Sequence, residues 1–306
     1  MNRARGRHLI SLREIGGDDL RRLVDRTVEH AAGKVGDRTL ENRVVGIYFA
    51  LTSTRTRTAF TTGSMRLGAH TITYGPGDLQ LNTGETPEDT GHVLAAMLDA
   101  LVVRAPGDSA ELRSFASGNS LSLINAMSAD EHPTQALADL ATMRQYFDRL
   151  DGLRVLYVGE GNSTATALCH ALGRIDGAEL HVRSPEHYGL PDHARQAAVA
   201  PGARIEERHD LADLPGTVDV AYTTRWQTTG TAKRHDNWRE LFEPFRVDAA
   251  LMRRFPDAVF MHDLPAHRGD EVTAEVIDGA RSIVFQQAAN KLYSAMAALE
   301  WCLTDW

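Results

Sequence analysis

Val44-Val45-Gly46-Ile47-Tyr48-Phe49 is followed, after Ala50-Leu51-Thr52, by Ser53-Thr54-Arg55-Thr56-Arg57. The first run is continuously apolar and reads as a buried strand, and residues 58–67 read as a helix. A strand that hands over to a helix is the repeating step of an α/β fold. The start of such a helix presents unpaired backbone N–H groups and the positive end of the helix dipole. Into this place the sequence puts the hydroxyls of Ser53, Thr54 and Thr56 and the guanidiniums of Arg55 and Arg57. Guanidinium groups bind phosphate oxygens in pairs of parallel hydrogen bonds. The segment therefore reads as a phosphate cradle. A capped helix with solvated arginines is the plainer alternative.

The same alternation recurs on both sides of this segment. Residues 18–32 carry Leu20, Leu23, Val24 and Val28 at helical spacing. Strand-like runs occupy 44–49, 71–74, 100–104 and 122–126, and a second series occupies 153–159, 179–182, 218–222 and 259–261. Alternation of this kind predicts parallel sheets flanked by helices. A chain of 306 residues is too long for one small core. Two α/β domains are expected, at 1–148 and 149–288, followed by a C-terminal helix within 289–306. Gly159-Glu160-Gly161 follows the fifth strand and begins like a dinucleotide-binding turn. The third glycine is missing, however, and His181-Val182-Arg183 stands where an acidic residue should close the next strand. A nicotinamide cofactor is not expected.

Charged residues make up 24% of the chain and hydrophobic residues 42%, which places it among soluble globular proteins. The net charge of −8, with no basic block, argues against nucleic acid or an anionic membrane as the main partner. An anionic substrate must then be met by local positive groups. No apolar run is long enough to span a bilayer. The basic start, Met1 to Arg7, is not followed by a signal-peptide core. A cytoplasmic location is expected. Cys169 and Cys302 form no disulfide framework, and Cys169 sits in an apolar helical context that suits packing.

A second segment makes the first specific. Asp130-Glu131-His132-Pro133-Thr134-Gln135-Ala136-Leu137-Ala138-Asp139-Leu140 also opens a helix. Pro133 suits a first turn, and Ala136, Leu137 and Leu140 supply a buried stripe. His132 and Gln135 are three apart, so both can face one side. In order and spacing, Ser-Thr-Arg-Thr-Arg with His-Pro-Thr-Gln resembles the aspartate and ornithine carbamoyltransferase family. The likeness runs from His8-Leu9-Ile10-Ser11-Leu12 to the last helix.

The resemblance implies carbamoyl phosphate as donor, an attacking amine and a departing phosphate, with neither metal nor cofactor. It implies that Arg55 and the N–H groups of Ser53, Thr54, Arg55, Thr56 and Arg57 hold the phosphate. Thr56, Arg104 and His132 are implied to polarise the carbonyl and stabilise the oxyanion. Gln135 is implied to hold the carbamoyl NH₂. Lys291 replaces an arginine that contacts the donor in ornithine-type members. Arg104 ends the apolar run 100–103, and strand C-termini in open α/β sheets are where ligands bind; a solvated arginine is the alternative. Residues 79–90 resemble a loop that members insert into a neighbouring subunit's site, with Gln80 near the donor, which implies a homotrimer with shared active sites. The C-terminal helix is implied to pack back on the first domain.

The acceptor motifs are mixed. Thr224-Arg225-Trp226-Gln227 resembles an aspartate-type segment whose arginine and glutamine read a carboxylate. Ornithine-type members carry an aspartate at the position of Thr224 and a Ser-Met-Gly after it, of which only Gly230 is kept. In His262-Asp263-Leu264-Pro265, Asp263 matches neither type. Its carboxylate would attract an ammonium group, or cap a turn. Asn162 matches the ornithine-type pattern. Asn162, Arg225, Gln227, Asp263, Leu264 and Pro265 are the expected acceptor residues. Arg225 with Asp263 points to a short diamino acid such as 2,3-diaminopropionate. Ornithine as acceptor, and a catalytically silent homologue that binds carbamoyl phosphate, are the alternatives.

Overall fold

A computed structural model describes residues 7–34, 36, 38–118, 120–196, 200–227 and 232–305. Contacts divide the chain into two units, Met1–Ala141 with Asn290–Trp306, and Thr142–Ala289. The first contains strands β1 (Val44–Phe49), β2 (His70–Tyr74), β3 (Ala100–Arg104) and β4 (Ser122–Met127). With them run helices α1 (Gly17–Ala31), α2 (Arg55–Arg66), α3 (Pro87–Ala95), α4 (Ser109–Ser114) and the start of α5 (Pro133–Phe147). The second contains β5 (Arg154–Val158), β6 (Glu179–Arg183), β7 (Arg204–Arg208), β8 (Val220–Thr223) and β9 (Val259–His262). Its helices are α6 (Ser163–Leu172), α7 (Asp192–Arg195), α8 (Trp238–Phe242), α9 (Ala249–Arg253) and α10 (Ala274–Ile277). Helix α11 (Val284–Leu303) begins in the second unit and from Asn290 onward packs in the first.

Both sheets are parallel throughout, in the orders β2-β1-β3-β4 and β7-β6-β5-β8-β9. Each order reverses once, between β1 and β3 and between β5 and β8. At such a point the segments leaving neighbouring strands diverge to opposite faces and open a crevice at the strand C-termini. The phosphate-cradle segment leaves β1, and Arg104 ends β3 beside it. The Gly159–Asn162 turn leaves β5, and Thr224-Arg225 leaves β8. Within each unit, the candidate residues thus stand where that unit's own topology makes room for a ligand.

Strand β3, interior, and strand β4, at the sheet edge where Leu9 pairs with it, are buried at every position, as largely apolar runs covered on both faces should be. Leu101, Val103 and Leu123 pack there against Leu94, Leu112 and Phe115. In the second unit Leu156, Val158, Ala221 and Phe260 pack against Phe245, Met252 and Val276. Fully burying one such side chain contributes roughly 1.5–3 kcal/mol.

Sequence and structure differ at the sheet edge. Arg204-Ile205-Glu206-Glu207-Arg208 carries one apolar residue, so periodicity showed no strand, yet it forms β7. Glu206 instead receives the buried Arg183 guanidinium at 3.0 Å. A charged edge of this kind also resists pairing with another chain. Helix α2 starts at Arg55 because the polar motif itself makes the first turn, and α11 starts at Val284 rather than Asn290. Among the described residues no helix is long and apolar enough to cross a membrane.

Candidate active site

The Ser53–Arg57 segment, expected to cradle phosphate, lies at the N-terminus of α2. Thr54 is its N-cap residue, but the Thr54 side chain makes no capping hydrogen bond. Helix α6 offers the contrast: its N-cap, Asn162, accepts from the N–H groups of Thr164 and Ala165 at 3.0 and 3.2 Å. One strand–helix junction is closed by its own side chain. The other has no such side-chain cap. Ser53 and Arg55 are half-buried, Thr54 is exposed and Thr56 is buried. Arg57 departs from the sequence expectation: its guanidinium lies over the Phe49 ring at 5.5 Å, against the strand.

Arg104 is buried and pairs in register with Phe49 and Met127, while its carbonyl accepts the Ala50 N–H at 2.9 Å. His132 stands just before α5, buried, with Nδ1 making no hydrogen bond. Burial, then the positive charges of Lys291 and Arg104, push the imidazole well below its usual range. The ring is therefore neutral and has one N–H to offer. Gln135 is buried: its oxygen accepts from Lys291 Nζ, and its Nε2 donates to Asp139 Oδ1 at 2.7 Å. Arg104, His132, Gln135 and Lys291 thus form one buried group in the first unit. Gln80 is exposed in a short 3₁₀ turn, Gln80–Thr83, where its carbonyl accepts the Thr83 hydroxyl at 2.7 Å.

Sequence reading missed what braces this group. The Glu131 carboxylate accepts the Leu12 N–H at 2.8 Å and the Ser11 hydroxyl. Asn125 Nδ2 donates to the Ile10 carbonyl and to Ser128 Oγ, both at 2.9 Å. These contacts pin the N-terminal strand-like segment to the loop that carries His132. The signal was present as Asn125 within the apolar run of β4 and Glu131 just after it, but their N-terminal partners lie more than a hundred residues away.

In the second unit, Asn162 Nδ2 donates to Thr224 Oγ1 at 3.0 Å and so joins the ends of β5 and β8. Thr164 Oγ1 donates to Asp263 Oδ2 at 2.9 Å. Asn162, Thr224 and Asp263 are thereby gathered at the first turn of α6. His262 Nδ1 accepts the Leu264 N–H at 2.8 Å, which leaves the ring proton on Nε2, facing Glu271 at 3.1 Å. Leu264 has a left-handed backbone, φ 54°, and its bond to the exposed Pro265 is cis. Arg225 Nε donates to the carbonyl of Gln227 at 2.6 Å, and Gln227 is exposed. Thr228-Thr229-Gly230 lies outside the described residues.

Two further features of this unit were not read from the sequence. Lys233 Nζ donates to Glu160 Oε1 at 2.6 Å and lies 4.6 Å from the centre of the Phe242 ring and 5.1 Å from that of Tyr188. Burial lowers the Lys233 pKa, against the opposing pull of Glu160. Trp226 turns into the same cluster, 5.7 Å from Phe242. Gly161 also has a purpose other than a cofactor: a Cβ there would stand 2.2 Å from the carbonyl carbon of Gly189. Its N–H meets the Tyr188 carbonyl at 2.7 Å, so two backbones touch where a dinucleotide turn would admit pyrophosphate.

Two family descriptions match the chain: "Aspartate/ornithine carbamoyltransferase, carbamoyl-P binding domain" over residues 7–145, and "Aspartate/ornithine carbamoyltransferase, Asp/Orn binding domain" over 151–302. The chain belongs to the aspartate/ornithine carbamoyltransferase family. It is accordingly an enzyme, a carbamoyltransferase, whose first domain binds carbamoyl phosphate and whose second binds the amino acid. It is 35% identical over 307 residues to the ornithine carbamoyltransferase of Methanothermobacter thermautotrophicus, covering 98% of this chain and 99% of that one. It is 39% identical over 277 residues to the ornithine carbamoyltransferase of Parafrankia sp., covering 89% and 87%. The ornithine carbamoyltransferase structure from Pyrococcus furiosus superposes with a TM-score of 0.90 at 34% identity, covering 98% of this carbamoyltransferase and 97% of that one.

Proposed function

We propose that this carbamoyltransferase acts on the side-chain amine of ornithine. The observation that carries the proposal is near full-length similarity to ornithine carbamoyltransferases. It is supported by Asn162, the ornithine-type residue, at the head of α6 and bonded to Thr224. In the donor domain the N–H groups of α2 and Arg55 hold the phosphate. Thr56, Arg104 and neutral His132 surround the carbonyl oxygen as negative charge develops on it. The amine forms a C–N bond to the carbonyl carbon, the C–O bond to phosphate breaks, and the departing phosphate takes the amine proton.

A second reading keeps the short diamino acid expected from Arg225 and Asp263. It is favoured by one observation: Thr164 fixes the Asp263 carboxylate beside Asn162 and Thr224, where it can meet an ammonium. The relatives weigh against it. A panel of ornithine, 2,4-diaminobutyrate, 2,3-diaminopropionate and aspartate, read as kcat/KM, separates the two. Ornithine is expected to lead. A tenfold lead for 2,3-diaminopropionate would replace ornithine by the second reading, and the absence of phosphate release with every amine of a broader panel would leave only a silent homologue.

We infer further that the enzyme is a homotrimer in which the Gln80 loop completes a neighbour's site. Support comes from the exposure of Gln80 and of the apolar side chains Ile72, Val93 and Met97 on the adjoining β2 and α3 region. Arg55→Ala is expected to weaken carbamoyl phosphate binding about tenfold to a hundredfold, the worth of hydrogen bonds to a charged group. Mixed with a subunit lacking the loop, at a donor concentration too low to sustain either alone, it should regain activity. Equal donor affinity in Arg55→Ala refutes the anchor, and no recovery under proven subunit exchange refutes the shared site.

A further inference from the structure

Gln135 is 1% exposed, and a buried primary amide must set its oxygen and its NH₂ against matching partners. Here the two partners leave no choice. Lys291 has only donors to give and Asp139, as a carboxylate, only acceptors. Turning the amide over would set NH₂ against ammonium and oxygen against carboxylate. Asp139 lies one helical turn after Gln135 on α5 and is fully buried. A carboxylate in that position is costly unless hydrogen-bonded and balanced, and the amide links it to the Lys291 charge on α11. The amide oxygen has two lone pairs, and Lys291 occupies one.

We propose that Asp139 is a positioning residue that makes the donor site selective for a carbamoyl group. By accepting the Gln135 NH₂, it keeps the amide oxygen turned to Lys291 and the donor. The second lone pair then accepts an N–H of the carbamoyl NH₂. This inference rests on carbamoyl phosphate being the donor. It adds that the residue recognising the NH₂ is oriented by a group that touches neither substrate. Acetyl phosphate carries a methyl group in place of the NH₂ and has no hydrogen to offer this oxygen. A site built around that hydrogen bond rejects the analogue that lacks it.

The test is the ratio of the dissociation constants of acetyl phosphate and carbamoyl phosphate, measured by calorimetry in wild type, Asp139→Leu and Asp139→Asn. Wild type is expected to prefer carbamoyl phosphate by about tenfold or more, the worth of one good hydrogen bond. Asp139→Leu leaves the Gln135 NH₂ without its acceptor, and should lose most of that preference while acetyl phosphate affinity stays within about threefold. Asp139→Asn lacks the charge and presents an NH₂ as readily as an oxygen, so its ratio should fall between the two. Parallel weakening of both ligands, or an unchanged ratio in the variants, overturns the proposal. Should the leucine variant not fold, the asparagine variant decides on the same ratio. A wild type that binds neither ligand would instead refute the donor assignment.

Discussion

His132→Ala is expected to lower kcat by about 10²–10³-fold while changing the donor KM by much less, because its imidazole acts on charge that exists only in the transition state. The argument is electrostatic. Burial disfavours the imidazolium, and Lys291 and Arg104 disfavour it again, so the ring stays neutral across the working pH range. A neutral donor beside two fixed cations is suited to a carbonyl oxygen that becomes an oxyanion. It is poorly suited to act as a base, a role the proposed mechanism gives to the departing phosphate. Two readouts follow. The kcat profile of the wild type should show no inflection near pH 6.5 that His132→Ala abolishes. The variant should lose kcat and kcat/KM together. A variant with normal kcat and a raised donor KM would make His132 a binding residue and remove it from the chemistry.

What the sequence made legible follows from the range of the signal. Residues 44–49 and 100–104 are short apolar runs whose burial is a local property, and they form interior strands. The polar motif after β1 marked a helix start because capping chemistry is also local. The relay from Lys291 through Gln135 to Asp139 was beyond reach, since its first two members are 156 residues apart. The same holds for Lys233 and Glu160, 73 apart. Periodicity shows which face of an element is buried and does not show what it meets. Arg57 illustrates the limit: its type fitted a phosphate cradle, but its position in the first turn sends it back over Phe49. Strand β7 was hidden for the opposite reason, because its backbone pairs with β6 while its side chains are mostly charged, and Glu206 pairs with Arg183. Asp263 was legible as a charge, while the Thr164 hydroxyl that fixes it was not.

Glu300→Gln is expected to destabilise the first unit by about 3–5 kcal/mol, the range for removing one partner from a buried charged network. Glu300 is fully buried on α11. Its carboxylate accepts from Arg26 Nε at 2.7 Å and from the Thr39 hydroxyl at 2.6 Å, and His30 Nε2 lies 2.8 Å from it. These contacts hold the C-terminal helix against α1, and so hold Lys291, on the same helix, against Gln135. A glutamine would turn an NH₂ toward Arg26 or His30 and leave donors facing one another. The pH dependence gives an independent check. Burial alone would raise the Glu300 pKa, but the hydrogen bonds from His30, Arg26 and Thr39 outweigh it and bring it from an ordinary 4.5 to about 2. A depressed carboxylate contributes stability that is fully present above the unfolded value and is lost as pH falls through the folded one. A shift of this size is worth on the order of 3 kcal/mol. The stability difference between wild type and Glu300→Gln, from denaturant titrations at several pH values, should therefore be constant above about pH 5 and shrink toward pH 2. Acid effects elsewhere are common to both proteins and cancel in the difference. A difference that stays flat from pH 7 to pH 3 and below would mean that packing, not the charge on Glu300, anchors the helix that presents Lys291.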